Sequence, residues 1–260
     1  MRAQGFNLNE VTTTVSIELS NLSDWMRENK LTINPRKTEL LLISNRIHNN
    51  DNISVNFMNE QVFCSSSAKY LGVHLDYKLS FKEHISDITK KIARHTGILY
   101  KIKENLPLKA RLNYYYGHIY PYLNYNILIW GGACANILKP LITQHKRTIR
   151  IISDVSFRDH TDPLFKNLNI LKIEDIYRLN LVIHVHKTRA QGAYQISHQV
   201  NTRNTNLANP TFHRLAQTQR AVSYAGPTTW NNLPDNIRRI DKLIKFKSET
   251  RKFFINRYGS

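Results

Sequence analysis

The stretch WMRENKLTINPRKTELLLIS, Trp25 to Ser44, joins a predicted helix to a run of apolar residues through a short basic turn. Upstream of this stretch, apolar residues recur at helical spacing, and Asn7 stands three positions before Glu10 as in an N-terminal capping box. Pro35 cannot continue the helix because it has no backbone N–H to donate. We therefore expect a capped helix, a turn, and then a buried strand at residues 38–44.

The following segments predict more strands and then a long helical region. ISVNFMN alternates apolar and polar residues and is followed closely by QVFC, which predicts a hairpin, and KYLGVHLD at residues 69–76 predicts a further strand. Beyond these strands the apolar spacing is helical. We expect an α+β protein in which residues 1–79 hold a helix, strands and a hairpin, residues 80–190 are mainly helical, and residues 191–260 form a polar linker and a tail with a basic helix.

The charge of the chain points to a polyanionic partner. Its 260 residues carry 37 Lys and Arg against 19 Asp and Glu, a formal net charge of +18. Nucleic acid is the first partner that such a charge indicates, and an anionic membrane surface is the second. The two cysteines exclude a disulfide framework, and the chain shows neither a signal peptide nor a membrane span. We expect an intracellular protein, cytoplasmic or nuclear and not secreted, that is not a membrane protein.

Two predicted helices place cations opposite their apolar faces. At about 100° per residue, each helix carries a cationic side that suits the regularly spaced charges of a phosphate backbone. The candidate nucleic-acid-binding residues are Lys90, Lys91, Arg94 and Lys101 on the first helix, and Lys139, Lys146, Arg147 and Arg150 on the second. Ordinary solvated helix faces are the alternative interpretation. A tyrosine-rich segment at residues 114–125 can likewise either stack on bases or pack in the core.

The sequence contains no complete set of catalytic residues. Two-metal phosphoryl transfer needs closely placed carboxylates, yet the chain has no Asp-Asp pair and its only adjacent acids are Glu174 and Asp175. His184 and His186 are two positions apart, which separates them on a helix. No nucleophile or nucleotide-binding glycine motif is present. We expect no metal site and no cofactor in this chain.

Three segments in order resemble the reverse transcriptases of non-LTR retrotransposons, especially jockey-like elements. The first is W-x3-N-x-L-x-I-N-x2-K-T-E from Trp25 to Glu39, which resembles the segment that follows the catalytic aspartate pair. The second is KYLGVHLDYKLSFKEHI, with Phe81 where the family usually has tryptophan. The third, AGPTTWNNLPDNIRR followed by FK, is similar to the tail of these open reading frames.

This resemblance implies roles for particular residues. Lys37 falls in polymerase motif D, where a lysine is proposed to lie near the incoming nucleotide. Residues 1–79 match the end of the palm, a small α/β remnant, in which Tyr70, Leu71 and Gly72 match the primer grip. Residues 80–190 match the thumb, which holds template–primer duplex by its backbone. An ordinary turn lysine at Lys37 and a glycine that accommodates a bulge at Gly72 are the alternatives. The implied partners are RNA and an RNA–DNA or DNA duplex; no protein partner is indicated.

The resemblance also implies something this chain lacks. The metal-binding aspartates of the family should precede Asn7, and only six residues do. The complete enzyme is expected to use Mg²⁺, whereas we expect this chain to hold template–primer duplex without polymerising on its own. The alternatives are a non-catalytic nucleic-acid-binding module and an inert transposon remnant.

Overall fold

The computed structural model describes residues 4–5, 7–32, 34–44, 53–58, 60–189, 208 and 218–259. The chain divides into two compact units, Met1–His84 and Ile85–Ser260. The predicted linker at residues 191–210 lies, except for Ala208, outside the described residues. The predicted domain divisions at residues 79/80 and 190/191 stay predictions.

The first unit combines one long helix with two small antiparallel hairpins. Its elements are helix α1 (Leu8–Glu28), a short 3-10 helix (Pro35–Lys37), strands β1 (Ser54–Phe57) and β2 (Glu60–Phe63), and strands β3 (Ser67–Tyr70) and β4 (Val73–Asp76). The hydrophobic core is formed by apolar side chains of α1 and the first hairpin, namely Leu19, Val55, Phe57 and Val62. The hairpin register pairs Val55 with Val62, which points both side chains to the core. The predicted hairpin is confirmed.

Both ends of α1 follow from local sequence. The Asn7 side chain accepts a hydrogen bond from Glu10 N at 2.7 Å, as the capping pattern predicts. At the other end Lys30 takes a left-handed φ of 57°, and Leu31 N donates to Met26 O at 2.9 Å. This six-to-one hydrogen bond is a Schellman ending, which satisfies a carbonyl that the helix leaves free.

Two strand predictions for the first unit are wrong. Residues 38–44 form no strand, because their contact with a ladder is a single parallel bridge between Leu40 and Cys64 among the described residues. Residues 69–76 form the end of β3, a turn and β4 rather than one strand. Leu71 and Gly72 have φ of 46° and 80°, so the chain reverses there as a two-residue turn that joins β3 to β4.

The second unit is built from helices, which confirms the α+β class with a mainly helical region. Helix α2 (Lys82–Ile102) begins before the unit boundary. The other helices are α3 (Leu108–His118), α4 (Tyr120–Asn124), α5 (Ile127–Trp130), α6 (Ala135–Ser153), α7 (Asp162–Asn167), α8 (Ile173–Arg189), α9 (Val222–Asn231), α10 (Asp235–Arg238) and α11 (Leu243–Asn256). Pro107 caps α3 and Pro121 lies in the first turn of α4, so both prolines divide the segment as the sequence predicts.

A buried polar pair joins α3 to α6. Tyr115 Oη lies 2.9 Å from His145 Nε2, the two rings are nearly parallel, and Phe165 meets the imidazole edge-on. Burial lowers the pKa of His145 to about 3, so this imidazole is neutral at pH 7. Burial likewise raises the pKa of the Tyr115 hydroxyl. The pair therefore satisfies two buried polar groups without introducing charge into the core.

The end of the chain is anchored to the start of α8. Tyr258 donates a hydrogen bond from its hydroxyl to Asp175 Oδ2 at 2.6 Å and accepts one from Lys172 N at 3.0 Å. The Lys172 ammonium lies 4.5 Å from the centre of the same ring. Burial, followed by the hydrogen bond to Asp175, raises the pKa of Tyr258. The tail helices therefore pack on α8 as part of one unit.

We predict that Tyr258→Phe lowers the free energy of unfolding of the second unit by about 1–3 kcal/mol, because Asp175 and Lys172 N each lose a buried partner. Urea unfolding followed through the buried Trp130 and Trp230 measures the change. Tyr100→Phe is the matched control, since Tyr100 is exposed. Equal unfolding midpoints for the two variants would contradict the anchoring role.

Candidate nucleic-acid interface

Lys37 ends the basic turn at residues 34–37. Asn34 organises this turn: its side chain accepts from Arg36 N at 3.0 Å, and its carbonyl accepts from Lys37 N at 3.0 Å. The Lys37 side chain is exposed to solvent. The turn therefore holds the backbone of Lys37 while its ammonium is open to a ligand. The motif D role implied by the resemblance stays a prediction.

The predicted primer-grip residues form the tip of the second hairpin. Tyr70 and Leu71 are 66% and 68% exposed, which is unusual for large apolar side chains. Gly72 supplies the second left-handed position of the turn. The observed reason for this glycine is therefore turn geometry. The hairpin presents a tyrosine and a leucine at a projecting tip, and their contact with a primer strand stays a prediction.

Asp76 organises the loop between β4 and α2, and sequence reasoning missed this role. Its carboxylate accepts hydrogen bonds from Phe81 N at 2.7 Å, Ser80 N at 3.0 Å and Lys78 N at 3.1 Å. Leu79 in the same loop has a left-handed φ of 51°. Burial raises the pKa of Asp76, but the hydrogen bonds from Ser80, Phe81 and Lys78 outweigh it and lower the pKa overall. The signal in the sequence was an acid four positions before a serine, immediately upstream of the predicted helix.

The cations of α2 divide into an exposed row and one paired residue. Lys90, Arg94 and Lys101, here called the α2 stripe, are exposed and form no ion pair with the described residues. Lys91 is half-buried, pairs with Asp87 at 2.9 Å, and lies 5.8 Å from the centre of the Tyr122 ring. The opposite face of the helix is buried as predicted. It carries Ile85, Ile88, Ile92 and Leu99.

The cations of α6 form a second set, here called the α6 stripe: Lys139, Lys146, Arg147 and Arg150. Lys139 and Arg147 are exposed, and Lys146 is half-buried. Arg150 is also half-buried, donates to Asp159 O at 2.9 Å, and lies over the ring of Phe157. Two of the four predicted residues are therefore fully presented to solvent, and Arg150 has local partners that hold its guanidinium.

The two stripes face away from each other. Helices α2 and α6 meet where the hydroxyls of Thr96 and Thr148 lie 2.8 Å apart. At about 100° per residue, Thr96 lies roughly 140° around α2 from its stripe, and Thr148 lies roughly 160° around α6 from its own. The helices touch through the faces opposite their cations. The stripes are therefore two separate surfaces of the second unit.

The structure sorts the predicted tyrosines into two groups. Tyr115 is completely buried, as the packing alternative required. Tyr114 and Tyr122 instead lie at the surface with two histidines, where His95 stacks on His118 with ring centres 5.5 Å apart. Sequence analysis did not predict the histidines, because they come from different helices.

Potential metal ligands are dispersed in the described part of the chain. No group of three or more His, Cys, Asp or Glu in this part of the chain is placed to hold a metal ion. Of the two adjacent acids, Asp175 already has protein partners. It accepts a hydrogen bond from Tyr258 and forms an ion pair with Arg178 at 2.8 Å. His186 is buried and lies within hydrogen-bonding distance of Ile240 O. We therefore assign no chemistry to a metal here.

Among the helices in the described ranges, none combines the length and apolar character needed to cross a bilayer.

Comparison with known proteins places the resemblance in a defined class: RNA-directed DNA polymerases of mobile elements. Three proteins of Drosophila melanogaster match parts of this chain at 25–30% identity. This confirms the resemblance to non-LTR retrotransposon reverse transcriptases. The chain spans less than a fifth of the length of each of these relatives.

The particular relatives are three transposon proteins. The probable RNA-directed DNA polymerase from transposon X-element is 30% identical over 42% of this chain and 12% of its own length. The RNA-directed DNA polymerase from mobile element jockey is 26% identical over 60% of this chain and 17% of its own. The probable RNA-directed DNA polymerase from transposon BS is 25% identical over 64% of this chain and 19% of its own length. No family model and no solved structure matches the chain.

We predict that Asp76→Asn destabilises the first unit by about 1–3 kcal/mol, because one amide oxygen cannot replace two carboxylate oxygens. Faster hydrogen exchange at the amides of Ser80 and Phe81 at pH 7 reports the loss. Since folding lowers the pKa of Asp76, the stabilisation is present above about pH 4 and is lost as pH falls through the folded-state pKa. Asp24→Asn is the control, because Asp24 is exposed. Equal protection in both variants would refute the role of Asp76.

Proposed function

We propose that this chain is a reverse-transcriptase-related nucleic-acid-binding fragment that holds RNA–DNA or DNA duplex through the phosphate backbone. The observation that carries the proposal is the α2 stripe, three exposed cations on one side of a helix without ion pairs among the described residues. Net charge of +18 and similarity to RNA-directed DNA polymerases support the same partner. An intracellular location, cytoplasmic or nuclear, is part of the proposal.

The α2 stripe suits a phosphate backbone in both charge and access. Gly97 lies on this side of α2, between Arg94 and Lys101, and a Cβ added there would meet no heavy atom within 4 Å. A phosphate can therefore approach the helix closely. Contacts between these cations and phosphates carry no sequence information, so binding is expected to be independent of the base sequence. The α6 stripe is a second, separate surface for the same kind of contact.

Polymerisation is not part of the proposed function of this chain alone. The sequence has no Asp-Asp pair, and the described residues bring no three metal-binding side chains together. What this polypeptide supplies, in our proposal, is the hold on template and primer. In the first unit, the tip residues Tyr70, Leu71 and Gly72 and the turn residue Lys37 are proposed as further nucleic-acid contacts.

The salt dependence of duplex binding tests the first part of the proposal. If about five phosphates are neutralised, the logarithm of the association constant should fall with the logarithm of salt concentration at a slope of about −4.5. The triple variant Lys90→Gln, Arg94→Gln, Lys101→Gln should make this slope shallower by about 2.7 units, because three phosphate contacts are lost. Fluorescence anisotropy with a blunt RNA–DNA duplex measures it.

A charge-matched variant separates the stripe from net charge. Lys166→Gln, Lys245→Gln, Lys247→Gln also removes three exposed cations, which lie outside both stripes. We expect its salt slope to stay close to that of the wild-type chain. A flat salt response of the wild type, or equal slopes in the two triple variants, would reject the proposed interface.

The absence of polymerase activity has its own test. We predict no Mg²⁺-dependent primer extension by the purified polypeptide above a heat-treated control, because the described residues bring no set of metal-binding carboxylates together. A primed RNA template with labelled nucleotides gives the readout. Extension that requires Mg²⁺ and disappears on heat treatment would contradict this part of the proposal.

A further inference from the structure

Four rings from three helices meet at the surface beside the α2 stripe. His95 comes from α2, Tyr114 and His118 from α3, and Tyr122 from α4, and together they are called the ring cluster. His118 lies 4.6 Å from Tyr114 and 5.5 Å from His95 between ring centres, and Tyr122 lies 5.8 Å from His95. The cluster therefore offers a set of closely spaced aromatic surfaces.

Solvent access distinguishes the ring cluster from core packing. His118 is exposed, and the other three rings are half-buried, whereas Tyr115 on the same helix α3 is completely buried. Gly117, next to His118, also faces open space, since an added Cβ would meet no heavy atom within 4 Å. A flat ligand can therefore reach the cluster without displacing a side chain of the core.

Cations flank the ring cluster. Lys91 lies over the Tyr122 ring, with its ammonium 5.8 Å from the ring centre. Arg94 precedes His95 on α2 and belongs to the α2 stripe. Burial, together with the electrostatic effect of His118 and Arg94, lowers the pKa of His95 and favours its neutral form. Accessible aromatic rings next to cations are the combination that binds unpaired nucleotides, through base stacking and phosphate contacts.

We propose that the ring cluster stacks on an unpaired base of a nucleic acid whose phosphates lie along the α2 stripe. This inference rests on the proposed function, because the stripe provides the phosphate contacts. It adds a second site to the proposed interface, one that contacts a base where the duplex continues into a single strand. Bases of any identity are accepted, since every base has a face that can stack.

The experiment compares three duplexes of equal paired length: blunt, with a four-nucleotide overhang, and with an abasic overhang of the same length. The two overhangs carry the same phosphates, so a difference between them reports bases alone. We expect the full chain to bind the base-containing overhang about tenfold more tightly than the abasic one, as for stacking of a single base.

Variants locate this preference. His118→Ala, at an exposed position, and His118→Ala with Tyr122→Ala should progressively remove the preference while leaving blunt-duplex binding unchanged. Tyr122→Phe should retain it, because the ring remains. Tyr100→Ala is the control, since this exposed tyrosine lies on the other flank of the α2 stripe. Circular dichroism confirms that each variant is folded.

The outcomes separate the two proposals. Equal affinity for base-containing and abasic overhangs, with tight salt-dependent binding of all duplexes, overturns the ring-cluster proposal and leaves the proposed function standing. A preference that persists in folded His118→Ala/Tyr122→Ala also overturns it. Failure of the chain to bind any of the duplexes overturns both.

Discussion

The contact between the Thr96 and Thr148 hydroxyls fixes the faces by which α2 and α6 pack together. Each threonine lies among apolar side chains on its own helix, so this face is buried and the cations are left on the outside. Because both helices turn their cations away from the contact, the charge of the second unit is divided between two surfaces. In the proposed function, a nucleic acid would therefore contact one row of cations at a time, together with the side chains next to that row.

Buried hydrogen bonds hold these helices in place. Tyr115 and His145 join α3 to α6 without charge, and Tyr258 bonds to Asp175 at the start of α8. Each removes a desolvation cost that an unpaired polar group would impose. The same α3 that buries Tyr115 presents Tyr114 and His118 on a neighbouring side, so the core contact also positions the ring cluster next to α2.

The first unit depends on backbone geometry more than on a large core. Asp76 gathers three backbone N–H groups, and Leu71 and Gly72 reverse the chain, so that the hairpin tip and the start of α2 are each set by a few hydrogen bonds. This explains why two strand predictions were wrong. An apolar run such as residues 38–44 indicates burial, but a strand also needs a neighbouring strand along its edge. Within the described residues of this run, only Leu40 forms a β-bridge.

The sequence by itself determined the helix caps, the first hairpin, the apolar and cationic sides of α2 and α6, and the resemblance to reverse transcriptases. Each of these depends on residues close together in the chain, for which periodicity and local hydrogen bonding are sufficient. Tertiary structure alone decided that the two cationic stripes face apart and that His95 and His118 join two tyrosines at the surface. These features bring together side chains from different elements, and their distances depend on how helices pack rather than on spacing along the chain.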